Sequence, residues 1–302
     1  MVERLTFGLA MAAQSPEEVL EKAVEAERQG LDCLWFFQRR NLAGPGQLAE
    51  AVAEVTSKIR LGLGFSPLLQ SFEEISAVMA SLSRRFGDRF ELCLIPGDRK
   101  QLVEAGVSAE RFRRLAETSL EARKAVESRL KAEGLKCRIW LGAQGPRMLR
   151  TARAFEAVLL NMASPRLVKW ALKVSGLTPE ETRIGVIASA YVYQTFKEEV
   201  YCLLRKAAAL ALLRASKALK SFLRVQEHLE GLEVEEASEK LSNELLKDFS
   251  ICLEAERLNE FVCSLAELGV SHIVFSHPQD YSVETIRELG LALKKLCRPQ
   301  LQ

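Results

Sequence analysis

The feature that most constrains this chain is a strict alternation of short apolar runs with longer amphipathic ones, repeated eight times. Strands are expected at residues 4–10, 33–37, 59–65, 90–95, 137–141, 157–161, 183–194 and 272–276. Each is followed by a helical stretch: 15–29, 47–57, 72–85, 109–131, 146–154, 165–174, 196–268 and 283–296. The second run, Cys33 to Phe37, is continuous and aromatic-rich, as in strands buried on both faces of a parallel sheet. Ser15 with Pro16 opens the first helix and Gly30 closes it. Alternation of this kind implies a parallel sheet with helices outside, and eight units match a closed (β/α)8 TIM barrel. An open doubly wound sheet of eight units is the runner-up. The stretch 196–268 reads as a helical insertion between strands 7 and 8, within a single domain spanning 1–302. Its segment 207–223 is Ala-rich and apolar, so it either packs on the body or forms a subunit contact.

The charge excludes several function classes. A net charge of +2 from 42 basic and 40 acidic residues gives no electrostatic footprint for nucleic acid or an anionic membrane. No stretch has the length and purity of a membrane span. The start MVERLTFGLA lacks the apolar core of a signal peptide. Seven cysteines, without a CxxC and mostly inside apolar runs, read as reduced thiols of a cytoplasmic protein. No spacing suits a metal, a nucleophile elbow or a Walker loop. A small-molecule substrate is the expected partner.

The run RIWLGAQGPRML at 138–149 is the most informative single stretch. It reads as strand, tight turn at Gly142, Ala143, Gln144 and Gly145, then a helix opened by Pro146. Such a corner lets the backbone approach a ligand and offers amides to an anion, a phosphate above all. A plain strand-to-helix corner has the same spacing. Other loops at strand ends carry chemistry-bearing groups. Pro96-Gly97-Asp98-Arg99-Lys100 places a carboxylate beside two cations, although Pro-Gly-Asp also makes an ordinary turn. Gln38-Arg39-Arg40-Asn41 holds adjacent arginines suited to phosphate or carboxylate, or simply a basic loop. His277 lies near Asp280 and Tyr281. His228 and His272 receive no role.

The strings GAQGPRML and VLLNMASP resemble a segment of the 5,10-methylenetetrahydromethanopterin reductases, members of the bacterial-luciferase-like superfamily. The resemblance covers roughly residues 5–105 and 137–165 and, loosely, the C-terminal quarter. It implies the same barrel and hydride transfer between a pterin-like or other small substrate and coenzyme F420 (8-hydroxy-5-deazaflavin). It also implies a cytoplasmic homodimer acting in one-carbon metabolism. Relatives bind FMN in the same place. By this likeness Gly64, Phe65 and Ser66 belong to a third-strand segment that carries a non-prolyl cis bond, here expected at Gly64–Phe65, against the coenzyme ring. Pro96 and Gly97 flank the ring, Asp98 is the catalytic candidate, and Gly142, Ala143, Gln144 and Gly145 touch the phosphate-bearing tail. Asn161 and Ser164 match the next strand end. The chain departs from the family at Ala10 (Glu in the family), Gln38 and Arg39 (Asp-His), and Cys93 and Ile95 (both Gly). Those departures fall on the functional face. They support the alternative of a barrel that binds no coenzyme and instead takes another metabolite or a protein partner.

Overall fold

The computed structural model describes residues 4–39, 41–225 and 231–296. Eight parallel strands close into a barrel: β1 (Thr6–Met11), β2 (Cys33–Phe37), β3 (Arg60–Phe65), β4 (Phe90–Leu94), β5 (Arg138–Ala143), β6 (Ala157–Asn161), β7 (Arg183–Tyr193) and β9 (Val270–Ser276). Neighbours pair in chain order from β1 to β7, and β9 sits between β7 and β1 to complete the ring. This is the (β/α)8 TIM barrel expected from the alternation. The outer helices are α1 (Glu17–Gln29), α2 (Pro45–Val55), α3 (Phe72–Phe86), α6 (Leu115–Ala132), α7 (Pro146–Thr151), α8 (Pro165–Ser175), α13 (Leu258–Ala266) and α14 (Val283–Lys294). Two short helices, α4 (Arg99–Glu104) and α5 (Ala109–Arg113), lead from β4 into α6, so the single helix expected at 109–131 is broken. Ser108 caps α5, and the chain turns at Arg114 before α6 starts. No helix among the described residues is long and apolar enough to cross a membrane.

The stretch expected to be helical from 196 to 268 is not helical throughout. It contains α9 (Glu198–Leu213), α10 (Lys217–Leu223), α11 (Val234–Lys240) and α12 (Asn243–Phe249), then a ninth strand, β8 (Ser250–Glu254), before α13. The reason lies in strand lengths. β7 has eleven residues and β6 only five, so β6 pairs with β7 from Arg183 to Ile187 and stops. The upper half of β7, Ser189 to Tyr193, pairs with β8 instead. Its backbone groups find partners there, as buried amides and carbonyls must. Asp248 anchors this added layer: its carbonyl accepts from the Ala163 N–H at 2.9 Å, and its carboxylate accepts from the Ser164 hydroxyl at 2.5 Å and pairs with Arg166.

Two cores hold the barrel. The outer one packs Leu34, Phe36, Leu61, Leu63, Leu92 and Leu141 against the helices. The inner one is Ala10, Cys33, Trp35, Cys93, Trp140, Ala157, Leu159 and Val274. Two indoles fill the axis, edge to face, with centroids 5.8 Å apart. Glycine makes room for them: a Cβ on Gly62 would lie 2.2 Å from Trp35, and one on Gly185 2.9 Å from Trp140. The lower end is polar and internally paired. Glu91 is bonded by Arg60 Nε at 2.7 Å and by the Trp140 indole N–H at 2.6 Å. The Trp35 N–H donates to His272 Nε2 at 3.0 Å. An indole N–H can only donate, so Nε2 accepts and His272 Nδ1 carries the hydrogen toward Thr6 Oγ1, 2.8 Å away. Burial, then repulsion from Arg183, pushes His272 down to about 3, so the ring is neutral.

Candidate functional site

All the predicted site residues lie at the C-terminal ends of strands, on one rim of the barrel. Parallel strands make this unavoidable, because every strand-to-helix loop emerges at the same end. Three strand ends are stitched together there. Gln38 Oε1 accepts from the Ser66 N–H at 3.1 Å, and the Ser66 hydroxyl donates to the Pro96 carbonyl at 3.1 Å. Ser66 is fully buried as a result. Gly97 has φ +83°, and a Cβ there would meet Ser66 Oγ at 2.9 Å, so this turn needs glycine. Gln38, a departure from the family pattern, thus acts as a strut.

Strand alternation separates the predicted ring wall. Gly64 faces the barrel axis, whereas Phe65 points outward into the helix layer and is 2% exposed. The expected cis bond between them is absent: the only cis bond among the described residues is His277–Pro278. Both carbonyls are drawn into a regular ladder, Gly64 C=O by the Gln38 N–H at 2.8 Å and Phe65 C=O by the Ile95 N–H at 2.9 Å. The space above Gly64 is taken by Phe37, whose ring carbon would lie 2.2 Å from a Cβ on that glycine. Phe37 stacks on Trp35 with centroids 5.8 Å apart. Ile95 lies against Gly142. Phe37, Ile95 and Ile187 are half-buried on top of the inner core and form an apolar floor to the mouth. Sequence reading did not single out this floor. Its signal was there, in the inward phase of β2, β4 and β7.

The corner after β5 is covered. Gln144 Nε2 donates to the Asn161 carbonyl at 3.2 Å, and its Oε1 accepts from the Ser216 N–H at 3.2 Å. A Cβ on Gly145 would stand 3.1 Å from Ser216 Cβ. Ala143 is buried outward, and the helix that follows, α7, has only six residues. Asn161 is exposed at the end of β6. Asp98 caps α4 by accepting from the Gln101 N–H at 3.0 Å, and its other oxygen pairs with Arg214 Nη2 at 2.7 Å. The turn between α9 and α10 therefore closes over the ends of β4, β5 and β6. Neither Arg214 nor Ser216 was anticipated from the sequence.

The remaining rim groups lie toward β2 and β9. His277 Nδ1 is 2.9 Å from Asp280 Oδ1; the imidazole is half exposed and the carboxylate is buried. Arg39 is open to solvent, yet surrounding protein lowers its pKa by desolvation, with Asp280 acting against that and Arg214 adding to it. Both hold for a side chain standing inside a concave mouth. Arg40 and His228 lie outside the described residues. Burial pushes the inner Cys93 thiol up and keeps it protonated.

Comparison with known proteins agrees with this architecture. A 5,10-methylenetetrahydromethanopterin reductase from Methanolobus tindarius is 26% identical over 210 residues, 61% of this chain and 64% of that protein. The coenzyme F420-dependent tetrahydromethanopterin reductase of Methanopyrus kandleri superposes with a TM-score of 0.81 at 16% identity, covering 95% of this chain and 97% of that one. The EDTA monooxygenase of Chelativorans sp. BNC1 superposes at 0.71 and 12% identity, over 98% of this chain and 95% of that one. The profile of the luciferase-like monooxygenases matches residues 5–272, nearly the whole described barrel, and the chain belongs to that family.

Proposed function

We propose that the chain is an oxidoreductase that takes a flat coenzyme at this rim, 8-hydroxy-5-deazaflavin (coenzyme F420) or, in its place, FMN. The observation that carries the reading is the half-buried floor of Phe37, Ile95 and Ile187 beneath inward positions, Gly64 and Gly142, that bear no side chain. A planar ring gains most from such a surface, which is apolar and already shaped. Bound there, the coenzyme supplies hydride transfer, and the protein supplies orientation. Phe37, Ile95 and Ile187 exclude water from beneath the ring. Asp98, held from two sides by the Gln101 N–H and Arg214, offers a fixed carboxylate to a polar substrate. The likeness to methylenetetrahydromethanopterin reductase supports a pterin-like substrate, while Ala10, inward-facing and 3% exposed, leaves that family's acidic group unreplaced.

The floor fits the ring, but the corner does not fit the phosphate-bearing tail. Ser216 and Gln144 occupy it, so no tail contact is derived for Gly142 to Gly145. That covering favours a second reading, a barrel without a coenzyme. One experiment separates the two. Deazaflavin and FMN are added separately to pure protein, and bound absorbance and thermal unfolding are followed. A shift of several degrees with either supports the oxidoreductase, since only a ligand of the folded state stabilises it. No bound absorbance and no shift with either leaves the coenzyme-free barrel.

A further inference from the structure

Arg39 has no hydrogen-bond or ion-pair partner among the described residues, although it stands where partners are within reach. Three relationships fix its place. It follows β2, whose last residue, Phe37, forms the floor. It feels the charge of Asp280, beyond β9 on one side, and of Arg214, at the end of α9 over β4 and β5 on the other. A group that senses both sides of the rim lies over the mouth. The nearby acids are already engaged: Asp98 with Arg214 at 2.7 Å, and Asp280 with His277 at 2.9 Å. Arg39 therefore keeps its full positive charge, held over an apolar floor and open to solvent.

We propose that Arg39 and the floor of Phe37, Ile95 and Ile187 form a binding site for a small organic anion, a carboxylate or phosphate carried on a flat apolar body. The guanidinium fork suits either group in two-point contact. Arg214 adds attraction without direct contact, because its positive end faces the same space. The body lies on the floor, where burial of its faces adds to the ionic contact. This site does not depend on the coenzyme reading, since it needs only groups of the free protein.

The test uses benzoate, phenyl phosphate and the uncharged isostere benzamide, with ligand-observed NMR on the intact chain and on Arg39→Gln and Arg39→Lys. The expected result is saturable binding of at least one of the two anions, roughly tenfold or more tighter than benzamide, as a charged hydrogen bond implies. Arg39→Gln is expected to abolish that preference, and Arg39→Lys to keep part of it. Circular dichroism confirms that each variant is folded. The two anions distinguish carboxylate from phosphate as the preferred group. Equal binding of benzamide and the anions, unchanged anion binding in folded Arg39→Gln, or no anion binding at millimolar concentration each overturns the site. Failure with deazaflavin and FMN leaves it standing, so the two outcomes are separable.

Discussion

Asp98 and Arg214 meet at 2.7 Å and join the loop after β4 to the end of α9. The pair links a barrel rim to the layer inserted above it, and Ser216, two residues further on, closes the neighbouring corner through Gln144.

Arg214→Ala should release this turn without unfolding the barrel. The arginine is more than half exposed, so the loss of global stability should stay below about 1 kcal/mol. Amide exchange in α10 should speed up, while exchange in β4 and β5 stays slow. Hydrogen-exchange mass spectrometry reads both. Unchanged protection in α10 would mean the ion pair does not hold the turn.

Gly62→Ala should be costly, because its new Cβ would enter the Trp35 ring. Overpacking of this kind costs roughly 1–3 kcal/mol. Trp35→Phe in the same chain should give back part of it, so the double variant loses less than the two single losses combined. Urea unfolding of the four proteins tests this, and strict additivity would contradict the packing described.

Glu91→Gln should destabilise by roughly 3 kcal/mol, as removal of one charge from a buried pair does. Burial by itself would raise the Glu91 pKa, but Arg60, His272 and Arg138 together more than offset it and the net shift is downward. A lowered carboxyl contributes stability above its unfolded pKa and loses it as pH falls through the lower folded value. The cost of Glu91→Gln should therefore be constant from pH 8 to pH 6 and shrink only in acid below the ordinary carboxylate range. Denaturant midpoints across that range check it.

His272 acts in a higher window. Its folded value of about 3 lies below the ordinary value near 6.5, so the unfolded chain takes up a proton that the folded one refuses. Stability is complete above about pH 6.5 and falls between there and about 3. At about 1.4 kcal/mol per pH unit, this histidine should cost roughly 2 kcal/mol between pH 7 and pH 5. His272→Gln should remove that slope while lowering stability at pH 7 through the disturbed Trp35 contact. An identical slope in both proteins would refute the buried neutral ring.

Much of the barrel was readable because its signals are local. Ser71 with Glu74 makes a capping box for α3, Ser164 with Pro165 opens α8, and Gly30 and Gly176 end their helices in left-handed turns. What escaped was β8. Its five residues follow α12 directly, with no turn glycine, and its partner is the part of β7 that outruns β6. Nothing within 250–254 reports that length difference. The expected cis bond failed for a related reason: it was carried over by likeness, whereas Phe37 and the neighbouring ladder hold Gly64 in regular strand.

Order along the chain determined that eight strand ends share one rim and that Asp98, Gly142 and Asn161 stand on it, since parallel strands permit no other arrangement. Only the tertiary structure decided how that rim is furnished. Phe37 over Gly64, Ile95 over Gly142, Ser216 on Gln144 and Arg214 on Asp98 join residues far apart in sequence. Such contacts depend on strand phase and helix placement in three dimensions, and the residue pattern of either partner alone does not contain them.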